Sequence, residues 1–334
     1  MRGLPMMAMV GLLLAVAPAT AQPVVLKLSH FLGPASFFEL DFAQPWAREL
    51  AARTNGAVKV EIFNASSPFG EVTKQATQVK DGMIDIALGL RGAEGDRFPR
   101  SSIIELPFVV HDALDGSRAL WKLYQDGVLG DEYADYKVLA LFVHNPGLIH
   151  TAEARIVAPD DIEGVRLRAP NRTVAMALQS IGAVPVVLQV SEVMPAVNEH
   201  RIDGIVTNWG NPLQDFNDYM KFHTDTQFYT AAFFIVMNRE KYQSLPADVR
   251  RAVDELSGEA WSAKFGPLWD KWDQPVRAGA NAPGHEIIVP DAATMAAWRE
   301  GLRPVTERYL TDLAAHGFPN ARAAYEKLAK TLRQ

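Results

Sequence analysis

The 334-residue chain contains no cysteine. This absence excludes disulfides, catalysis by a thiol, thiolate metal sites and iron–sulfur clusters. A chain of this length buries enough apolar surface to fold without disulfides. The sequence also lacks the G-x-S-x-G and H-E-x-x-H motifs of common hydrolases. No familiar enzyme site is therefore indicated.

Positive charge is not in excess either. Lysine and arginine number 33 against 39 acidic residues, which gives a formal net charge of −6. That balance gives no reason to expect nucleic acid or an anionic membrane as a partner. Apolar residues make up 48% and charged residues 22%, as in ordinary globular domains. The length favours two lobes rather than one core.

Long apolar runs are missing except at the start of the chain. Arg2 precedes an apolar run over residues 6–17, and Ala19-Thr20-Ala21 follows it. A positive charge, a short apolar core and an A-x-A site are typical of a signal peptide. We therefore predict a signal peptide over residues 1–21 and export of the mature chain. An uncleaved anchor is the alternative, although the run is too short to span a membrane comfortably.

The first part of the mature chain alternates strands and helices. Apolar runs predict strands over residues 24–30, 58–63 and 84–90. A helix with the Ser36/Glu39 spacing of a capping box and a second helix over 71–80 separate them. Pro45 is expected to kink the first helix. The β-α-β-α-β order predicts a parallel sheet, with ligands beyond the carboxyl ends of its strands.

A second set of elements begins after Thr151. We predict lobe I over residues 22–151 plus 237–280, and lobe II over residues 152–236 plus 281–334 with the C-terminal helices. A strand over 231–238 is expected to return the chain to the first lobe. From Pro246 the pattern is helical, and a long helix bent at Pro267 is expected to lie across both lobes. Two crossings between the lobes favour a hinge.

Two arginines stand out in the second set. Arg166 and Arg168 lie between Gly164 and Pro170 in a short predicted strand and share one of its faces. An arginine fixed at a strand end is suited to clamp a carboxylate, because its planar fork donates two parallel hydrogen bonds. A solvated arginine or a structural ion pair explains the same pattern, so the residues alone leave both interpretations open.

A series of short motifs adds a family resemblance. In order along the chain they are L-K-L-S-H (26–30), F-G-E (69–71), Q-V-K-D-G-M-I-D (78–85), E-L-P-F (105–108), L-R-A-P (167–170), G-A-V-P (182–185), S-E-V (191–193), I-D-G (202–204) and M-N (237–238). Their order and spacing resemble the solute-binding proteins of the tripartite ATP-independent periplasmic (TRAP) transporters, of the DctP type.

The resemblance implies an α/β, two-lobed periplasmic-binding-protein clamshell (type II-like) with a long helix spanning both lobes. It implies a periplasmic protein, not an enzyme, that closes on a small organic acid and delivers it to the TRAP membrane permease subunits. The carboxylate-binding arginine of the family falls on Arg168, and a second contact falls on Thr207. Many members carry an Asn at the latter place, whereas here Asn208 and Trp209 follow directly.

Further ligand contacts are predicted around these positions. Sialic-acid-type members carry another arginine near residues 148–150, which this chain lacks, and Arg91 and Arg172 are the candidates for a second positive group. Trp209, Phe31 and Phe234 are candidates to shield the organic part of the ligand. Hydroxyls or carbonyls of the ligand are expected to meet Asn145, Thr207 and Asn208.

The sequence leaves several points open. One arginine favours a monocarboxylate, and a C4-dicarboxylate remains an alternative. No cofactor or metal ion is expected, and a monomer is the expected state. Two other functions compete with transport: a periplasmic enzyme acting on an organic acid, and a sensory binding protein that presents its ligand to a receptor kinase.

Overall fold

The computed structural model of the protein describes residues 23–210 and 219–333. The predicted signal peptide, residues 1–21, lies outside the described residues. Within the described ranges, no helix has both the length and the apolar character needed to cross a membrane.

The first of two sheets has five strands. Their spatial order is β2 (Val58–Phe63), β1 (Val24–Ser29), β3 (Ile86–Leu90), β10 (Ala232–Asn238) and β4 (Tyr136–Val143). Strands β1, β2 and β3 run parallel, and β10 pairs antiparallel with both β3 and β4. The predicted β-α-β-α-β unit and the returning strand are confirmed.

The second sheet has six strands. Their order is β11 (Glu286–Ile288), β9 (Phe222–Tyr229), β5 (Gly147–Thr151), β8 (Gly204–Thr207), β6 (Arg166–Ala169) and β7 (Val184–Val187). The sequence did not predict β5 and β9. Strand β9 buries His223, Asp225 and Thr226, and this polar content hides the strand pattern.

Helices cover both sheets. They are α1 (Gln44–Arg53), α2 (Gln75–Lys80), α3 (Ala113–Gln125), α4 (Arg172–Ser180), α5 (Val190–Asn198), α6 (Arg239–Ser244), α7 (Ala247–Glu255), α8 (Glu259–Ala263), α9 (Phe265–Gly279), α10 (Ala292–Ala315) and α11 (Ala321–Thr331). A π-helical turn, Glu39–Ala43, leads into α1. Its Glu39 N–H donates to Ser36 Oγ at 3.3 Å, which is half of the predicted capping box.

The helical run after Pro246 is divided differently from the prediction. Instead of one helix bent at Pro267, it forms α7, α8 and α9, with Gly258 at φ +91° before α8. Pro267 lies inside the first turn of α9, where its missing N–H costs nothing. The spanning helix itself is confirmed: Trp269 packs in the first-sheet core, and Val276 packs beside Trp209 of the second lobe.

Helix α10 also joins the two halves. Trp298 and Leu302 pack with the second sheet, whereas Leu310 and Leu313 pack with the first. The lobe boundaries stay a prediction. Because β5 pairs within the second sheet, we propose that the first crossing lies at residues 144–146 and not after Thr151. By the same reasoning we assign α11 to the first lobe, since it packs on α3.

Candidate functional site

A cavity of about 360 Å³ lies between the two sheets. The first lobe contributes the loop of residues 31–38, which follows β1, together with side chains of β4, β10 and α9. The second lobe contributes Arg168, Thr207 and Tyr229. The volume falls in the range of small-molecule pockets. A ligand in this cavity would touch both lobes at once.

Arg168 is the only charged side chain among the described residues that line the cavity. It lies on β6 and is only 4% exposed. Its Nε donates to the Leu188 carbonyl at 3.0 Å, and Nη1 reaches the Val206 carbonyl at 3.5 Å. Within residues 23–210 and 219–333, no carboxylate pairs with it. Burial lowers the pKa of this guanidinium, because the charge has lost water and the opposing electrostatic effects of Tyr229 and Glu192 do not offset that loss.

Arg166, two residues earlier, has the opposite environment. It forms an ion pair with Asp203 near the surface, and its Nε lies 2.9 Å from Asp203 Oδ2. The sequence left two interpretations open for these arginines, a carboxylate clamp and a structural ion pair, and the two residues differ in this respect. Arg166 is a structural ion pair, and Arg168 is a buried cation facing a cavity.

His144 adds no second charge at neutral pH. Its Nε2 accepts a hydrogen bond from the Ala231 N–H at 3.0 Å, and its Nδ1 lies 2.5 Å from the Asn145 carbonyl. This arrangement fixes a neutral ring with the proton on Nδ1. Burial, reinforced by the positive Arg168, lowers the pKa of His144 to about 4. The described lining of the cavity therefore carries one positive charge, that of Arg168.

The rest of the lining is mostly aromatic. Phe142 stacks between Phe265 and Phe233, with ring centroids 3.4 and 5.1 Å away. Phe37 stacks on Trp272 at 5.9 Å. Within the described ranges, nine aromatic side chains line the cavity: Phe31, Phe37, Phe38, Phe142, Tyr229, Phe233, Phe265, Trp269 and Trp272. Such walls favour a flat, apolar guest.

Four of the predicted contacts line the cavity: Arg168, Thr207, Asn208 and Phe31. Their contact with a ligand stays a prediction. The Asn208 side chain also donates to Asp273 on α9 at 3.0 Å, which holds the end of β8 against that helix.

The other predicted contacts lie away from the cavity. Arg91 is buried against Glu105, with Nε 3.0 Å from Oε1, and Arg172 pairs with Asp312 at the surface at 3.0 Å. Neither places a second positive charge in the cavity. Asn145 has its amide fully used, since its Oδ1 accepts from the Ala113 N–H and its Nδ2 donates to Asp270 and Asp273.

The two remaining aromatic candidates are packing residues. Trp209 packs edge-on against His150 inside the second lobe, with centroids 5.2 Å apart. Phe234 is fully buried in the first-lobe core, whereas its neighbour Phe233 lines the cavity. Adjacent residues of a strand face opposite sides of the sheet. The predicted residue, Phe234, therefore faces the core, and the residue before it faces the cavity.

Several lining residues were not singled out from the sequence. Trp269 and Trp272 of α9 pack in the first-lobe core and also line the cavity. His144 directly follows β4 and lines the cavity as well. Tyr229 lies at the end of the unpredicted strand β9, and burial raises the pKa of its hydroxyl, which keeps it neutral.

Comparison with known proteins connects this geometry to a family. The family described as bacterial extracellular solute-binding protein, family 7 (DctP), matches residues 28–312. The chain is 28% identical to the C4-dicarboxylate-binding periplasmic protein DctP of Rhodobacter capsulatus, over 92% of both chains. It is also 28% identical to the outer membrane transporter protein TsaT of Comamonas testosteroni, over 89% of this chain and 88% of that one.

Solved structures of TRAP solute-binding proteins share the fold. One, from a marine metagenome and described as specific for aromatic acid ligands, contains 3-hydroxybenzoate. It is 30% identical with a TM-score of 0.88, over 94% of this chain and 99% of that one. Another, from Rhodoferax ferrireducens, contains copurified benzoate. It is 29% identical with a TM-score of 0.88, over 93% of this chain and 98% of that one.

Proposed function

Because the chain belongs to the bacterial extracellular solute-binding proteins of family 7, the receptors of TRAP transporters, we propose that it captures an aromatic monocarboxylic acid. The acid binds in the cavity between the lobes, and the protein then delivers it to the TRAP permease in the membrane. Members of this family are receptors and not enzymes, so an enzyme acting on the acid is set aside.

The observation that carries the proposal is the state of Arg168. Among the described residues no carboxylate forms an ion pair with this buried cation. A buried cation that lacks such a partner costs free energy, and an incoming carboxylate removes that cost by pairing with it. The strand backbone holds the side chain in place, and carbonyls fix part of its fork. The clamp is therefore largely preorganised, and little conformational entropy is lost when the anion binds.

The aromatic walls support a ring on the other end of the ligand. An aromatic ring packs against Phe, Tyr and Trp side chains in stacked and edge-on geometries, which add to the gain from apolar burial. Two structural neighbours, 29% and 30% identical to this chain, contain benzoate and 3-hydroxybenzoate respectively. Both the lining and the relatives thus favour the same ligand class.

A C4-dicarboxylate is the second candidate, because the relative from Rhodobacter capsulatus is named for such ligands. The charges of the cavity disfavour it. His144 is neutral, and Arg91 and Arg172 are paired elsewhere. A second carboxylate of the ligand would be buried against aromatic rings without a cation to pair with. Burying an unpaired ion in this way costs roughly several kcal/mol of binding free energy.

Delivery and location complete the proposal. We place the mature protein in the periplasm, after removal of the predicted signal peptide, and the permease subunits are its partners. The sensory alternative uses the same cavity. Uptake of labelled benzoate by cells with and without this protein separates the two, since a sensory protein leaves the uptake unchanged.

The ligand class is tested by isothermal titration of the purified protein with matched compounds. Benzoate and 3-hydroxybenzoate each have one carboxylate and an aromatic ring. Cyclohexanecarboxylate lacks the aromatic ring, and benzyl alcohol lacks the charge. Succinate has a second carboxylate and no ring. We expect the two aromatic acids to bind most tightly and benzyl alcohol not to bind. Tighter binding of succinate than of benzoate would contradict the assignment.

A further inference from the structure

The motif Glu-Leu-Pro-Phe at residues 105–108 takes no part in lining the cavity, yet it contacts both lobes. Glu105 ends a 3₁₀ turn, Ser101–Glu105, and is fully buried. Its carboxylate accepts two hydrogen bonds from Arg91 and one from the Ala232 N–H at 3.0 Å, all on the first-lobe side. A fourth comes from the second lobe, where Asn171 Nδ2 lies 3.3 Å from Oε2.

Phe108 makes two further contacts to the second lobe. Its N–H donates to the Phe228 carbonyl of β9 at 2.8 Å, and the Arg299 guanidinium of α10 lies 4.4 Å from the centre of its ring. Phe108 has φ +59°, a left-handed conformation that a bulky residue adopts only when its surroundings impose it. The segment is thus held in a strained shape by partners on the opposite lobe.

Asn171 connects this segment to the carboxylate clamp. It lies three residues after Arg168, is 3% exposed, and caps α4 by accepting the Val174 N–H at 2.9 Å. The approach of the lobes is close at this point, because a Cβ added to Gly92 would lie 2.8 Å from the Asn171 Cβ. The turn that follows Arg168 therefore rests directly on the first lobe.

We propose that residues 105–108 form an interlobe clasp, in which the Glu105–Asn171 hydrogen bond stabilises the arrangement where both lobes line the cavity. Asn171 is then a positioning residue: it does not touch the ligand, but it sets how closely Arg168 approaches the aromatic walls of the first lobe. The effect on affinity rests on the proposed function, whereas the effect on the lobe arrangement does not.

Two substitutions at Asn171 isolate this bond while they keep the helix cap. Asn171→Ser retains an N-cap residue but does not reach Glu105. Asn171→Asp retains the cap as well and places a second carboxylate beside Glu105, so attraction becomes repulsion. Glu105 itself is left unchanged, because its loss would strand the buried Arg91. Asn320→Asp, at the exposed start of α11, is the control for the added charge.

The test uses two readouts. We expect benzoate affinity to fall about tenfold in Asn171→Ser, in line with a lost hydrogen bond to a charged group, and further in Asn171→Asp. Because the chain has no cysteine, spin labels at Arg48→Cys on α1 and Asn198→Cys on α5 report the distance between lobes. In Asn171→Asp we expect a smaller population at the label distance of the present lobe arrangement.

The outcomes separate the two claims. Unchanged affinity together with unchanged distance distributions in both Asn171 variants overturns the clasp. If no aromatic acid binds the wild-type protein, the proposed ligand is wrong, and the distance distributions alone decide the clasp. If Asn320→Asp changes the benzoate affinity and the distance distribution as much as Asn171→Asp does, the effect comes from net charge, and this outcome also overturns the clasp.

Discussion

The sharpest prediction compares two arginines on one strand. Arg168→Ala removes the buried guanidinium of the cavity, which pairs with no carboxylate in the described part of the chain, and Arg166→Ala removes an identical group two residues away that pairs with Asp203. The change in side chain is the same in both. Only the environments differ, so any difference in ligand affinity reports the role of the cavity position.

The magnitudes follow from burial. Loss of one partner from a buried charge pair costs roughly 2–5 kcal/mol, so Arg168→Ala should weaken benzoate binding by about 30-fold to several thousandfold. The side chains of Arg166 and Asp203 are 43% and 36% exposed, and such pairs contribute about 0–1 kcal/mol to stability and nothing to a ligand that they do not touch. Benzoate affinity of Arg166→Ala should therefore equal that of the wild-type protein.

Stability without ligand should separate binding from folding. Since no carboxylate among the described residues pairs with the buried Arg168, its removal should not lower the melting temperature by much, because the lost packing is offset by the relief of desolvation. Isothermal titration and thermal unfolding of both variants, with and without benzoate, measure these effects. Equal benzoate affinity in Arg168→Ala and wild type, or equal weakening in both variants, would refute the reasoning.

Two other predictions concern acid stability and the aromatic wall. Burial lowers the pKa of His150 to about 3 and the pKa values of His144 and His223 to about 4, below an unfolded value of about 6.5. The unfolded state therefore binds more protons at these three histidines. Burial raises the pKa values of Glu94 and Glu132 to about 7, which opposes the histidine effect and offsets it near neutral pH. The free energy of unfolding should therefore fall as pH drops from about 6 towards 4, which urea titrations at several pH values measure; a constant or rising stability in that range would contradict this. Phe233→Ala should weaken benzoate binding, whereas Phe234→Ala should leave affinity nearly unchanged and cost about 3–5 kcal/mol of stability. Titration and chemical unfolding of the pair test this, and equal affinities would place the ligand away from β10.

Much of the fold could be predicted because its apolar patterns are regular. The strands predicted at 58–63 and 231–238 are continuous or alternating apolar runs, and the predicted bounds lie close to the observed ones. Strand β9 escaped because it buries polar groups that pair with each other, such as His223 with His150 at 2.8 Å. A pattern based on hydropathy does not reveal polar residues that are buried in this way.

The site was harder to predict than the fold. The sequence indicated Arg168, which lines the cavity, but it could not show that Arg91 pairs with Glu105 or that Asn145 bonds to the backbone and to α9. Those partners lie far apart along the chain, so only the folded structure brings them together. Phe234 was chosen in place of Phe233 because nothing in a continuous apolar strand states which face meets the cavity.

The central claim is that one buried guanidinium receives the carboxylate of an aromatic acid between the two lobes. A crystal structure of the benzoate complex tests it most directly. The account predicts both carboxylate oxygens within hydrogen-bond distance of Arg168 and the ring against Phe233 and Trp269. A structure in which the carboxylate pairs with another group, while Arg168 keeps only its contacts to the Leu188 and Val206 carbonyls, would contradict it.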